Sequence, residues 1–254
     1  MGLLSKTLLA EAVLPEDADS KSRFSQKQIQ GLTSLTEVVN TLYCKPRRTW
    51  VVRGVENPES VAEHSEDMAR MSLFLAPGYP QPVQPFHAAF MALTHDLIEG
   101  PRLGDETITL AKFSPDEKRK REHQALEYIT SLPLPNGLAR KIDNVWREFD
   151  DNQTPCAQFV KQLGKLQMAH MALHYEREQG LNMPDVWNCA ERAMTAPNMK
   201  YAFNELRGQR PKSFSERPVT LAQELTPEME STALARAEQR YRERTAPLPD
   251  RQFA

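Results

Sequence analysis

His64, His95, Asp96 and Glu99 are the residues of this chain whose types and spacing could do chemistry. The doublet lies in Thr94-His95-Asp96-Leu97-Ile98-Glu99. Read as one helix, that segment puts Glu99 about one turn from both His95 and Asp96, on the same side. Imidazole with carboxylate suits a borderline divalent ion: manganese, iron, cobalt or zinc. A neighbouring carboxylate that is not a ligand can hold or relay a proton for an activated water. His64, in Pro58-Glu59-Ser60-Val61-Ala62-Glu63-His64-Ser65, is expected on a separate helix and would complete the set. Any one of these histidines alone is more often a packed or surface residue than a ligand.

The elements that must position these residues read as helices, and the expected fold class is all-α. Asn57-Pro58 resembles a cap followed by proline at the first helical position, opening a helix to about Leu75. Ser114 with Glu117 forms a capping box. Thr154-Pro155 opens a long helix to about Glu178, closed by Gly180. Apolar residues recur at helical spacing in Val61, Met68, Met71 and Leu75, and again from Phe159 to Leu173. A first core helix is expected from near Ser25 to Tyr43. Val51-Val52 is the only short β-branched pair of note, read as extended chain. Residues 1–24 read as an N-terminal arm, 25–210 as a helical domain, and 211–254 as an extension, partly helical or mobile.

With 254 residues and 40% hydrophobic content the chain can bury one substantial core. A formal net charge of -2 gives no support to nucleic-acid polymers or membrane surfaces as partners. No run approaches the roughly 18 apolar residues of a spanning helix. The first residues match neither a myristoylation signal, because Lys6 stands where Ser or Thr belongs, nor a secretory leader. An intracellular, cytoplasmic protein is the expectation. Cys44, Cys156 and Cys189 lie far apart, which argues against a disulfide framework and a cysteine-built zinc site. They read as small buried residues.

Arg47-Arg48-Thr49-Trp50-Val51-Val52-Arg53-Gly54-Val55, the His64 segment, the His95-Asp96 segment and Gly104-Asp105 together resemble the HD-domain family of 5′-deoxynucleotidase-like phosphohydrolases. The resemblance continues at Val145-Trp146-Arg147-Glu148-Phe149, Phe159-Val160-Lys161-Gln162-Leu163 and Tyr175-Glu176, covering roughly residues 26–208. It implies an all-α HD-domain bundle, often a homodimer, that binds one divalent metal and hydrolyses nucleoside 5′-monophosphates. It also implies His64, His95 and Asp96 as metal ligands, with Glu99 activating water or protonating the leaving oxygen. Asp105 would contact the sugar or position water. Arg47 or Arg48, with Trp50 and Arg53, would line the phosphate and nucleoside pocket, where a guanidinium can grip phosphate with two parallel hydrogen bonds.

This chain departs from the family pattern in three places. Gly164 stands where the family has a metal-ligating aspartate, Cys156 replaces an acidic residue, and the interval from His95 to Asp105 is one residue longer. His170 and His174 do not substitute for the aspartate, because they fall about 120° and 80° off the Gly164 direction. Glycine inside a helix costs ~1 kcal/mol relative to alanine. Gly164 is therefore expected to leave room for a ligand or water beside the substrate. Two functions follow. One is a metal-dependent phosphohydrolase of a small, nucleotide-like phosphomonoester. The alternative is an HD-fold enzyme repurposed, without a metal, for cyclisation, isomerisation or lyase chemistry on an apolar biosynthetic intermediate. Met68, Met71, Met91, Met168 and Met171 would wall the pocket of the second, although methionine at helical spacing is more often core.

Overall fold

The computed structural model describes residues 25–100, 114–135 and 137–246. They form an all-α bundle, and among them the sole β-type pairing is an isolated antiparallel bridge between Pro46 and Ser60. Six of the ten described α-helices start where a side chain accepts from a free N–H group of the first turn. The helix α1 (Gln26–Tyr43) is closed by a capping box between Ser25 and Gln28. A short turn of helix, α2 (Arg48–Val51), follows. Next come α3 (Val61–Leu75) and α4 (Pro85–Thr94), then α5 (Pro115–Ser131), which carries the expected Ser114–Glu117 box. The bundle continues through α6 (Leu138–Asp151), α7 (Pro155–Gln179), α8 (Pro184–Ala193) and α9 (Pro197–Gly208). The last described helix is α10 (Pro227–Thr245).

Two expectations need correction. Asn57 does not cap α3; it takes a left-handed conformation with φ 52°. The cap is Ser60, whose side chain accepts from the Glu63 N–H while Glu63 accepts from the Ser60 N–H. Main-chain bonds from Arg47 to Glu59 and from Val61 to Lys45, each 2.9 Å, hold residues 59–61 extended and delay the helix. Val51, read as extended chain, instead lies in α2, where it and Trp50 are buried.

The central element is α7, which packs against α3, α4, α6, α8 and α9. Phe159, Leu163, Ala169 and Leu173 bury its inner surface. Met68, Met91 and Met168 are core residues, so the methionine wall is packing. A second apolar cluster joins α1, α3, α5 and α6 through Val38, Leu42, Val61, Leu126, Ile142 and Trp146. Close approach dictates glycine at Gly31, where a Cβ would collide with the Pro133 carbonyl.

After α9 the chain crosses back over the first half. The Gln223 N–H bonds to the Val52 carbonyl at 2.7 Å. In α10, Ala233 and Ala237 are buried, Tyr241 stacks on Tyr43, and Arg240 donates to the Pro58 carbonyl at 2.7 Å. No described helix is long and apolar enough to cross a membrane.

Candidate metal centre

The extended segment before α3 places Glu59 against α2 and α7. Its carboxylate is 6% exposed and has two partners. The Trp50 indole donates to Oε1 at 2.8 Å, and the Gln167 amide donates to Oε2 at 2.7 Å. The Glu59 main-chain N–H donates to the Tyr175 hydroxyl at 2.8 Å. Burial pushes the Glu59 carboxyl up, with Arg47 and the two side-chain donors pulling the other way.

Because Gln167 spends its N–H on Glu59, its amide oxygen is turned toward His64 Nδ1, 2.7 Å away. That oxygen can only accept, so His64 carries its proton on Nδ1 and presents the Nε2 lone pair. Burial, followed by the charge of Arg47, lowers the His64 pKa well below 6.5. A neutral imidazole in this tautomer is the form that ligates a metal.

His95 commits its Nδ1 by a shorter route. It caps the C-terminus of α4, and its Nδ1 donates to the Ala92 carbonyl at 2.8 Å. Its Nε2 faces Asp96 Oδ2 at 3.1 Å, and its ring rests 5.0 Å from that of Phe149. Although burial opposes charge on both, mutual attraction raises the His95 pKa and holds the Asp96 carboxyl well below the usual range.

The helix expected to run from His95 to Glu99 is broken. Asp96 leaves it with φ -100° and ψ 7°, and Leu97–Glu99 forms a 3-10 turn. Neighbours on a continuous helix diverge by about 100°, so this break is what lets adjacent His95 and Asp96 serve one centre. One donor atom each from His64, His95 and Asp96 lies within 4.8 Å of the others. Ligands about 2.0–2.2 Å from an ion stand at most about 4 Å apart, so a small inward movement would seat a divalent cation.

The remaining candidates are placed as follows. Glu99 turns to Lys45, with Oε2 2.9 Å from Nζ. Arg47 caps α2, and its Nη1 is buried without a hydrogen-bond partner. Its charge acts on His64, His95, Asp96 and Glu59 alike. Arg48 is exposed beside Val51 and Leu225. Trp50 is 0% exposed and edges against Tyr175, so it offers no face to a substrate. Arg53 is committed to Asp185 at 2.5 Å and to the Thr49 carbonyl. Asp105 lies outside the described residues.

The room expected beside Gly164 is filled. An ideal Cβ there would meet the Met68 methyl at 3.3 Å and its sulfur at 3.5 Å. Gly164 and Gln167, one turn apart on α7, thus face Met68 and His64, one turn apart on α3. Sequence reasoning missed Gln167, although its spacing from Gly164 put it on the same face. It also gave Glu59 no role.

The HD-domain family model matches residues 39–206. The human 5′-deoxynucleotidase HDDC2 is 30% identical over 194 residues, covering 75% of this chain and 92% of that protein. The zebrafish (Danio rerio) protein of the same name is 33% identical over 152 residues, covering 60% of this chain and 73% of its own. Among solved structures, the PH0347 protein from Pyrococcus horikoshii OT3 superposes with a TM-score of 0.55 at 27% identity, over 69% of this chain and 96% of that one. A predicted metal-dependent phosphohydrolase from Magnetospirillum magnetotacticum MS-1 shares the fold, with a TM-score of 0.53 at 24% identity, over 73% of this chain and 96% of its own.

Proposed function

The chain belongs to the HD-domain family of metal-dependent phosphohydrolases, and on that premise we propose that it hydrolyses a small phosphomonoester of the nucleoside 5′-monophosphate type. The observation that carries this reading is the pair of imidazoles with Nδ1 already committed, the His95 Nε2 facing Asp96, and a ligand atom of His64 within 4.8 Å of both. That arrangement fits a borderline divalent ion held by His64, His95 and Asp96. When bound, such an ion supplies Lewis-acid polarisation of the phosphoryl group and lowers the pKa of an attacking water.

The chain's own residues have the complementary tasks. Arg47, with an unpaired buried guanidinium nitrogen, is suited to take a phosphate oxygen and offset its charge. Glu99, held by Lys45, stands one 3-10 turn beyond the ligands as the acid–base group. Asp105 is assigned to the sugar by its place in the family pattern. The nucleotide-like substrate rests on the name 5′-deoxynucleotidase carried by the human relative.

Gly164 is taken as the position of the family's aspartate. On this reading the protein supplies three ligands and leaves positions open, as catalytic zinc sites do. The metal-independent alternative drew on free volume at Gly164, and Met68 occupies it. The test is metal retention after loading with manganese, followed by phosphate release from deoxynucleoside monophosphates. One equivalent, lost in His95→Ala, with hydrolysis is the expected result. A folded protein that retains no metal and releases no phosphate would overturn the proposal and favour the alternative.

A further inference from the structure

A second convergence of donors is formed by His87, Glu148 and Cys156, with one ligand atom of each within 4.8 Å of the others. His87 is the third residue of α4, Glu148 lies in the last turn of α6, and Cys156 is the second residue of α7. His87 Nε2 is 2.8 Å from Glu148 Oε2. The other oxygen of Glu148 accepts from the Thr154 hydroxyl at 2.5 Å, which fixes the carboxylate's orientation. Cys156 is buried, whereas His87 is partly open to solvent and provides an entry side.

We propose that His87, Glu148 and Cys156 form a second metal site, selective for a thiophilic divalent cation of the zinc or cobalt class. Charge is the first argument. A neutral imidazole, a carboxylate and a thiolate together balance a divalent ion, so the occupied site is neutral and suited to a half-buried position. His64, His95 and Asp96 leave such an ion with a net positive charge, which suits an anionic substrate. Ligand softness is the second argument. A thiolate selects zinc or cobalt over magnesium and manganese, so manganese is taken by the first centre alone. The helix N-terminus at Cys156 favours the anionic sulfur once the proton has gone. Binding forms a metal–sulfur bond and releases the thiol proton to solvent, with the His87–Glu148 hydrogen bond exchanged for two metal–ligand bonds.

Such an ion would pin the start of α4, the end of α6 and the start of α7 together. Phe149, adjacent to Glu148, packs on the His95 ring. The second ion would therefore stiffen the wall behind the first centre. No sequence motif marks this site, because the three donors come from separate helices with unrelated spacing.

The test is titration of chelator-treated full-length protein with cobalt, followed by its thiolate-to-metal charge-transfer absorption in the near ultraviolet. The band should reach one site per chain, disappear on adding zinc, survive in His95→Ala, where it saturates at one equivalent, and be absent from Cys156→Ser. Zinc should also protect Cys156 of the unmutated protein from alkylation, as read by mass spectrometry, so the proposal remains testable if Cys156→Ser fails to fold. Cobalt binding without the band, a band that survives in Cys156→Ser, or alkylation unaffected by zinc would each overturn it.

Discussion

Gln167 joins α7 to the metal centre by two bonds of 2.7 Å, one accepted from His64 and one donated to Glu59. Gln167→Leu keeps the approximate volume and removes both. Gln167 is 0% exposed, His64 3% and Glu59 6%, so water has little access to replace them. Each buried polar group left unpaired costs about 1–3 kcal/mol, giving a loss of roughly 2–6 kcal/mol in stability. With the tautomer of His64 no longer fixed, metal affinity should fall about 10- to 100-fold. Gln167→Glu separates the two effects. It retains an acceptor for His64 but confronts Glu59 with a second carboxylate, so one proton must be shared between them. The folded pKa of that pair rises above the unfolded value. Stability is then fully present below the unfolded carboxylate pKa and declines as pH rises through the folded one. The assay pairs chemical unfolding across pH with manganese binding isotherms. Expected are a weak-binding Leu variant and a Glu variant that binds within about tenfold of the parent but loses stability with rising pH. A folded Leu variant with parental affinity, or equal loss of metal in both, would refute the relay from Glu59 through Gln167.

Two glycines should respond oppositely to alanine. Gly31→Ala meets the backbone of Pro133 and should lower stability by about 1–3 kcal/mol, whereas Gly164→Ala meets the flexible end of Met68 and should gain up to ~1 kcal/mol, as read by urea unfolding. Among the arginines, Arg47→Ala should raise KM for a phosphomonoester, while Arg53→Ala, which breaks the partly exposed pair with Asp185, should leave KM unchanged and cost no more than about 1 kcal/mol. Burial, and then Glu148, pushes the Cys156 thiol from 9.0 up to about 12. In metal-free protein its contribution is full below the unfolded value and is lost as pH rises toward the folded one. Unfolding midpoints should therefore fall above pH 9.0, and less steeply in Cys156→Ala.

Local chemistry made much of the architecture legible. Ser25, Ser114, Thr154 and Gly180 each act within a few residues of themselves, and each marks a helix end where it was expected. The doublet His95-Asp96 was likewise readable as ligand chemistry. The break after His95 was not, because Thr94-His95-Asp96-Leu97-Ile98-Glu99 holds neither glycine nor proline, and the turn is set by how the segment packs. Asn57-Pro58 looked like a cap because the competing Ser60 box is favoured by a bridge to residues 45–47, a contact between segments. The support behind His64 was hidden for the same reason. Gln167 is 103 positions away, and a helical period shows which residues share a face but not what that face meets.

The return of α10 to the Pro58 carbonyl also sets a timetable for synthesis. Pro58 and Arg240 are 182 positions apart. At about 5–20 residues per second, a ribosome needs roughly ten to forty seconds to make what lies between them. During that interval the turn leading into the His64 helix is outside the ribosome without its C-terminal cover. Tyr43, which later stacks on Tyr241, is open to other chains for as long. The nascent protein thus passes through a stage in which the helices bearing the chemistry can form while the surface beside them is still bare, and that stage ends when α10 emerges.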